Sequence, residues 1–581
     1  MKKRYLSVLG LAALLSFSSC GEDFLYKGPQ GAVDEEALTN AQGVDLLTTN
    51  AYATLTENGW GASVFNWTFG GMYGGDANKG SDNGDQAVLN TMETYSLDAS
   101  NDYVNEKFEW VYKGAKRVNF ALQVIANVEN MDEATKNSRI GELKFLRALC
   151  YFEGIKVFGP MIPWVDDTYK ENDPKVHNDK DIYPMVLADL DDAIAKLPAT
   201  QPVVGRVNSW AAKSLKARVL MQQGKMAEAK PILADVLANG VTSNGLKYGL
   251  EDKLDNNWNI ATENGKESIF AVQHSVDAND NGNAGMSLCY PHGGAGAPGG
   301  CCGFYQPSAE LANSFKVTAE GLPMLDNSYR NAPYVDEAVK GSDEAYSKVT
   351  DVAVDPRLDF TLGRFGVPYK DWGEPKLNWV RDVANGGFYI PRKHVYYKAD
   401  EQAGMASGGF SAGWAPGSAM NIQYLSVRDM VLLYAECLAD AGDLRGAMEQ
   451  VNKIRKRAAN KANITENNGK PAANYKIAEY PSSHAAFSSK DECVKAVRME
   501  RKLELAMEGL RWFDLSRWGG KYMAATLKDY VTFESKFIAK FSTSSYIKEE
   551  RTMFPLPDRQ VLTMGNDENG QPYLVQPAPW K

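Results

Sequence analysis

Glu500-Arg-Lys-Leu-Glu-Leu-Ala-Met-Glu-Gly-Leu-Arg-Trp-Phe-Asp-Leu-Ser-Arg-Trp-Gly519 decides how the rest of the chain is read. Apolar residues recur at Met499, Leu503, Ala506, Leu510 and Phe513, one face of a helix at a 3.6-residue period. Charge crowds the other positions. Arg501 and Glu504, Glu508 and Arg511, and Asp514 and Arg517 each stand three apart, the spacing at which side chains meet on a helix surface. Trp512, Phe513 and Trp518 fill the last turns. A lone surface helix has no use for that much aromatic area, so the segment is expected to be buried on several sides. Its charges then read as a packing lattice between elements, not as a catalytic cluster.

The same helical character extends upstream. Asp102 to Asn130, Lys136 to Phe158 and Asp181 to Leu197 are periodic, and Gly159-Pro160 stops the second of them. One pattern occurs twice: Ala217-x6-Gly224-x4-Ala229 returns as Ala435-x6-Gly442-x4-Ala447. Small residues at those points let two antiparallel helices approach, and the glycine ends the first helix. This is the logic of a tetratricopeptide helical hairpin. The copies lie 218 residues apart, so other material is inserted between them. The chain therefore reads as mainly α: a scaffold of tetratricopeptide-like hairpins over roughly 35–247 and 420–520, with long irregular loops and a few short strands. The insertion, roughly 248–414, is rich in Gly, Asn, Asp and aromatics. Within it Glu267 to Gln273 reads as a strand. Trp60 to Gln86 reads as a second long loop, in which Trp60, Trp67, Phe69 and Tyr73 alternate with glycines; loops of that length inside a compact protein tend to be functional.

At the N-terminus, Lys2-Lys-Arg4 precedes a short apolar run from Leu6 to Phe17 and then Ser18-Ser19-Cys20. The run is too short to span a bilayer. Residues 1–19 read as a lipoprotein signal peptide and Cys20 as the acylated anchor, with a single body over 20–581 tethered to a membrane, not inserted in it. The net charge is −10, and removing Lys2, Lys3 and Arg4 makes the body more acidic still. That argues against nucleic acid as a partner. Aromatics make up 11% of the chain, with 12 Trp and 28 Tyr; such faces suit the apolar C–H faces of sugar rings. Cys150 and Cys437 sit in apolar helical patterns. Cys289, Cys301 and Cys302 share a Gly-rich loop that leaves room for a disulfide, and their spacing fits no zinc template.

E-R-K-x-E-L-A-x-E-G-x-R-W-F-D-L-x-R-W-G resembles the C-terminal signature of the SusD/RagB family of Bacteroidetes outer-membrane lipoproteins. Phe145 to Pro163, residues 428–457, Asp355-Pro-Arg-Leu358 and the proline-marked end from Phe554 to Tyr573 resemble the same family, and Tyr389 to Lys393 is a strand only by its resemblance to the family's strand after Asp355-Pro-Arg-Leu358. Glu22-Asp23 resembles its acidic surface-export signal, and Phe17 departs from the usual leucine of the lipobox. The resemblance implies a non-catalytic, lipid-anchored protein at the outer membrane, facing the cell exterior. It implies a glycan ligand and a partner, a SusC-like TonB-dependent transporter for which the protein acts as a lid in nutrient uptake. A surface glycoside hydrolase and a lid for peptides or another nutrient are the alternatives.

No catalytic signature supports the hydrolase reading. The five histidines lie apart and outside H-E-x-x-H, and there is no P-loop. Gly294-x-Gly296-x-x-Gly299 lacks the flanking strand and helix of a dinucleotide site. No cofactor is expected, with an irregular calcium turn at Asp277-x-Asn279-x-Asn281-Gly282 or Asp76-x-Asn78-x-Gly80 as the open point; both lack the closing glutamate. The candidate ligand contacts are aromatics in the two loop regions, Trp67, Tyr73, Tyr290, Trp372, Trp379 and Trp414. Asn78, Asp82, Asp85, His292 and Arg381 are the candidate hydroxyl partners. The expected site is broad and shallow, gaining affinity when a partner closes over it.

Overall fold

In the computed structural model the described residues are 35–56, 61–171, 173–276, 284–293, 296–332, 336–338, 347–349, 351–411 and 415–581. Cys20 and the leader, Trp60, Trp414 and the Asp277 to Gly282 turn lie outside them.

Helices dominate. α1 (Ala41–Ala53), α2 (Asp102–Ala126), α3 (Glu133–Phe158), α4 (Tyr183–Lys196), α5 (Ser209–Gln222) and α6 (Met226–Asn239) each pack on the one before. Their starts are set by side-chain caps: Asn40, Asn101, Asp132 and Asn208 accept backbone N–H groups of the first turn. The insertion begins after α6. It carries β2 (Ser268–Val272), β3 (Phe304–Pro307) and the short helix α7 (Ala309–Ser314), and returns through β4 (Ile422–Ser426), which pairs antiparallel with β2. The expected strand at Tyr389 to Lys393 reduces to Ile390–Pro391, paired with Leu362–Gly363. The scaffold then resumes with α8 (Val427–Asp440), α9 (Leu444–Ala458), α10 (Lys490–Glu504), α11 (Arg511–Arg517) and α12 (Gly520–Glu534), and α13 (Asp558–Met564) lies near the end.

The two Ala/Gly/Ala hairpins are α5–α6 and α8–α9, and α8 packs on α6. Ala217, Ala229, Ala435 and Ala447 are fully buried. Each first helix closes in the same way: Gly224 and Gly442 adopt φ of 73° and 82°, and the following N–H reaches back to Leu220 and Leu438 carbonyls at 2.9 Å in both copies. Hairpins far apart in sequence thus stand side by side, and the insertion is looped out between them.

Glu500–Gly519 is not one helix. α10 ends at Glu504 and α11 starts at Arg511, with Met507 and Gly509 left-handed between them. Close approach of another backbone explains the break. A Cβ on Gly509 would stand 1.9 Å from the Phe65 carbonyl oxygen, and one on Gly70 would stand 1.7 Å from the Gly509 oxygen. The partner is a wide helical turn, Trp67–Met72, whose Asp76 neighbour accepts the Met507 N–H (3.1 Å). The aromatic, glycine-rich stretch that reads as an exposed loop is therefore interior from Gly61 to Ser81, its glycines allowing backbone to pack on backbone.

The expected charge lattice is present, wired between elements. Of the three in-helix pairs, Asp514–Arg517 forms (2.8 Å). Arg501 instead bonds Asp429 and Asp514, both at 2.9 Å. Glu504 meets Arg357 (3.0 Å) and Arg457; Glu508 meets Arg428 and Lys393, both at 2.9 Å. Arg357 also bonds Asp355 (2.8 Å) and Glu500 (2.7 Å), while Glu267 bridges Arg428 and Arg457. The insertion is thereby clamped to α8, α9 and α10 by buried ions that satisfy one another.

Candidate ligand-binding surface

β1 (Ala77–Gly80) pairs antiparallel with β3, with Asn78 opposite Gln306 and Gly80 opposite Phe304. This ladder carries the chain out of the core to the surface. Asn78 is locked inside: its amide donates to Glu534 (2.9 Å) and its oxygen accepts the Tyr530 hydroxyl (2.9 Å). Lys79 donates from its ammonium to the carbonyls of Asp82 (2.8 Å) and Asp85 (2.7 Å), which folds residues 82–85 into a fixed turn. Asp82 Oδ1 accepts the N–H groups of Gly84 and Asp85, each at 2.8 Å, and these bonds lower its pKa.

Arg381 lies over this turn. Its guanidinium reaches Asp82 Oδ2 and Asp85 Oδ2, both at 2.6 Å, and the Ser81 hydroxyl at 3.0 Å. All three charged side chains are about one-third exposed. Asn385 fixes the base of the turn by donating to Gly80 (2.8 Å). His292 stands alongside, with its backbone N–H on the Trp379 carbonyl (2.8 Å). Burial first, and then the Arg381 charge, lower the His292 pKa against the opposing pull of Asp82 and Asp85, so the ring is neutral near pH 7. Gly303 sits between them: a Cβ there would lie 3.1 Å from the His292 Cβ and 3.7 Å from the Arg381 Cβ. Asp82, Asp85, His292 and Arg381, separate in sequence, thus form one half-exposed cluster of fixed donors and acceptors.

The aromatic candidates divide differently. Trp67 is 0% exposed, in contact with Phe304 and Tyr305 (ring centroids 6.0 and 5.9 Å). Tyr73 is buried against Trp512 and Phe554, and Trp379 is 1% exposed beside Tyr369. Tyr290 is buried, its hydroxyl 3.2 Å from the Ser418 Oγ. None of the four offers a face to a ligand, and Asn78 offers no free amide; each is corrected to core. Trp372 is half-buried, its indole N–H on the Tyr396 carbonyl (3.0 Å). At Asp76 to Gly80, where the sequence leaves a calcium turn open, Asp76 is followed by the buried strand Ala77–Gly80, and the oxygens of Asp76 and Asn78 serve Met507 and Tyr530; among the described residues no group of three His, Cys, Asp or Glu is placed to hold a metal.

Among the described cysteines, Cys301 joins its neighbour Cys302, while Cys289, Cys150, Cys437 and Cys493 are free and buried. No helix among the described residues is long and apolar enough to cross a membrane.

A family model described as the SusD family matches residues 266–571, and one described as starch-binding, associating with the outer membrane, matches 23–221. A SusD-like protein of Bacteroides ovatus is 23% identical over 573 residues, covering 94% of this chain and 88% of its own. The crystal structure of a SusD superfamily protein from Bacteroides vulgatus aligns with a TM-score of 0.65 at 19% identity, covering 94% of this chain and 99% of that one. Surface glycan-binding protein A from Bacteroides thetaiotaomicron, in complex with laminarihexaose, aligns with a TM-score of 0.59 at 14% identity, covering 92% and 99%.

Proposed function

This chain belongs to the SusD family, and on that premise we propose that it is a cell-surface glycan-binding lipoprotein that holds an oligosaccharide for uptake. The observation that carries the reading is the cluster of Asp82, Asp85, Arg381 and His292. Charged donors and acceptors held at fixed spacing, half in water, suit the paired hydroxyls of a sugar without a covalent step. Solved relatives include a laminarin-binding SusD-like protein and the laminarihexaose complex, which support a glycan as the ligand class. The protein acts without catalysis, anchored through Cys20 to the outer membrane and facing the exterior, as a lid on a SusC-like TonB-dependent transporter.

Calorimetry of the purified body against neutral oligosaccharides and against peptides tests the ligand. Binding to an oligosaccharide is expected; binding confined to peptides overturns the glycan reading, and new reducing ends after incubation overturn the non-catalytic one. Co-purification of a TonB-dependent transporter with the tagged, membrane-extracted protein tests the partner. Cys20→Ala is expected to release the protein from membranes.

A further inference from the structure

Gly296-Ala-Pro-Gly-Gly-Cys-Cys-Gly303 runs into the cluster of charges, and it is built almost without side chains. Gly296, Gly299, Gly300 and Gly303 have φ of 82°, 75°, 74° and 78°, a backbone that L side chains rarely adopt. The segment is thus shaped by its glycines. It is also tied down at its last residue: the Gly303 N–H donates to the Tyr290 carbonyl (2.9 Å) and its oxygen accepts the Ser81 N–H (2.5 Å). Gly299 packs on Pro416 and on the Tyr290 Cβ, whereas a Cβ at Gly296 or Gly300 would meet nothing within 4 Å. The segment is open at Gly296 and Gly300, and the Cys301–Cys302 disulfide follows directly after them. Cys302 is buried and Cys301 is half-buried at the rim of the core.

The neighbours make this a place for a ligand. Gly303, the next residue, has His292 and Arg381 against its Cα, and Arg381 carries Asp82 and Asp85. His292 Nδ1 is buried beneath this segment without a hydrogen-bond partner. Of the aromatic faces expected to receive a sugar ring, those of Trp67, Tyr73, Tyr290 and Trp379 are in the core. A ring gripped by its hydroxyls still needs an apolar surface for its C–H face. A disulfide between adjacent residues supplies one: it is polarisable, carries no strong hydrogen-bonding group, and closes a small ring whose side chains have no rotamers left to lose on binding.

We propose that the Cys301–Cys302 disulfide is the stacking platform of the glycan site, placing the C–H face of a neutral sugar ring beside the Arg381, Asp82 and His292 side chains. The proposal rests on the reading of that cluster as the glycan site. The test is calorimetry of wild-type protein, Arg381→Ala and Cys301→Ala/Cys302→Ala against laminarihexaose, maltoheptaose, xylohexaose, cellohexaose and mannohexaose. At least one sugar is expected to bind the wild type, and both variants are expected to bind it tenfold or more weaker. A second measurement uses the unmodified protein. Saturating sugar is expected to slow reduction of Cys301–Cys302 by a water-soluble phosphine, read by alkylation and peptide mass spectrometry. Binding of none of the sugars, or equal binding by Arg381→Ala, overturns the glycan site and the platform with it. Loss with Arg381→Ala but affinity within twofold for the cysteine variant, or reduction unaffected by sugar, overturns the platform alone.

Discussion

Trp379 and Arg381 are two residues apart and lie on opposite sides of the same boundary. Trp379 turns inward onto Tyr369, while Arg381 turns outward over Asp82 and Asp85. A sequence rich in tryptophan and tyrosine invites the reading that such residues meet sugar, and Trp67, Tyr73, Tyr290 and Trp379 show why composition misleads. In a chain of this size the core itself needs large aromatic volume, and nothing in residue type distinguishes a ring that packs from one that stacks. The charged candidates Asp82, Asp85 and Arg381 stay about one-third exposed because a charged residue in a loop has few ways to be buried. Trp379→Ala is therefore expected to cost about 3–5 kcal/mol of stability through the cavity it leaves, read as a lowered midpoint in urea. Asp85→Asn is expected to leave that midpoint nearly unchanged, because a half-exposed ion pair contributes about 1 kcal/mol or less.

At the scale of elements, the break between α10 and α11 matters more than either helix. The apolar period runs unbroken through Leu503, Ala506 and Leu510, so local pattern alone continues the helix. It ends because Gly509 and Gly70 bring two backbones into contact, an event set by residues over 400 positions away. The break also lets Glu504 and Glu508 face the insertion. Burial pushes the Glu504 pKa up, and the charges of Arg457, Arg357, Lys393 and Arg428 overcome this and hold it at about 2. Burial likewise opposes, and Lys502 with Arg330 outweighs it, to hold Glu310 at about 2. A carboxylate whose folded pKa lies below its unfolded value stabilises the fold above the unfolded pKa. That contribution is lost as pH falls toward the folded value. Stability is expected to drop between about pH 4.5 and pH 2. Glu504→Gln is expected to lower stability at pH 7 by about 3–5 kcal/mol, by leaving buried guanidinium charge uncompensated, and to flatten that acid slope in denaturant titrations. Gly442→Ala is expected to cost about 1 kcal/mol, since its φ of 82° is unfavourable for alanine and its surroundings are open.

Across the whole molecule, a helical scaffold is interrupted by one long excursion, and the proposed ligand surface is built from residues outside the stretch that identifies the family. β1 and β3 bring Ser81 and Gly303 together beneath the surface, and the loops bearing His292 and Arg381 close over them. Because the insertion is clamped to α8, α9 and α10 by buried ions, the surface is expected to be preformed; calorimetric binding should then proceed without the large heat-capacity change of coupled folding. The sequence by itself determined the helical hairpins, their matched glycine stops, the membership in a family and the presence of a charge lattice. Each of these depends on neighbours within a few turns or on a long motif. Only the tertiary structure decided which aromatics are core, where the Glu500–Gly519 stretch breaks, which cysteines join, and that Asp82, Asp85, His292 and Arg381 meet. Those outcomes depend on backbone contacts and ion pairs between segments hundreds of residues apart, which no local periodicity encodes.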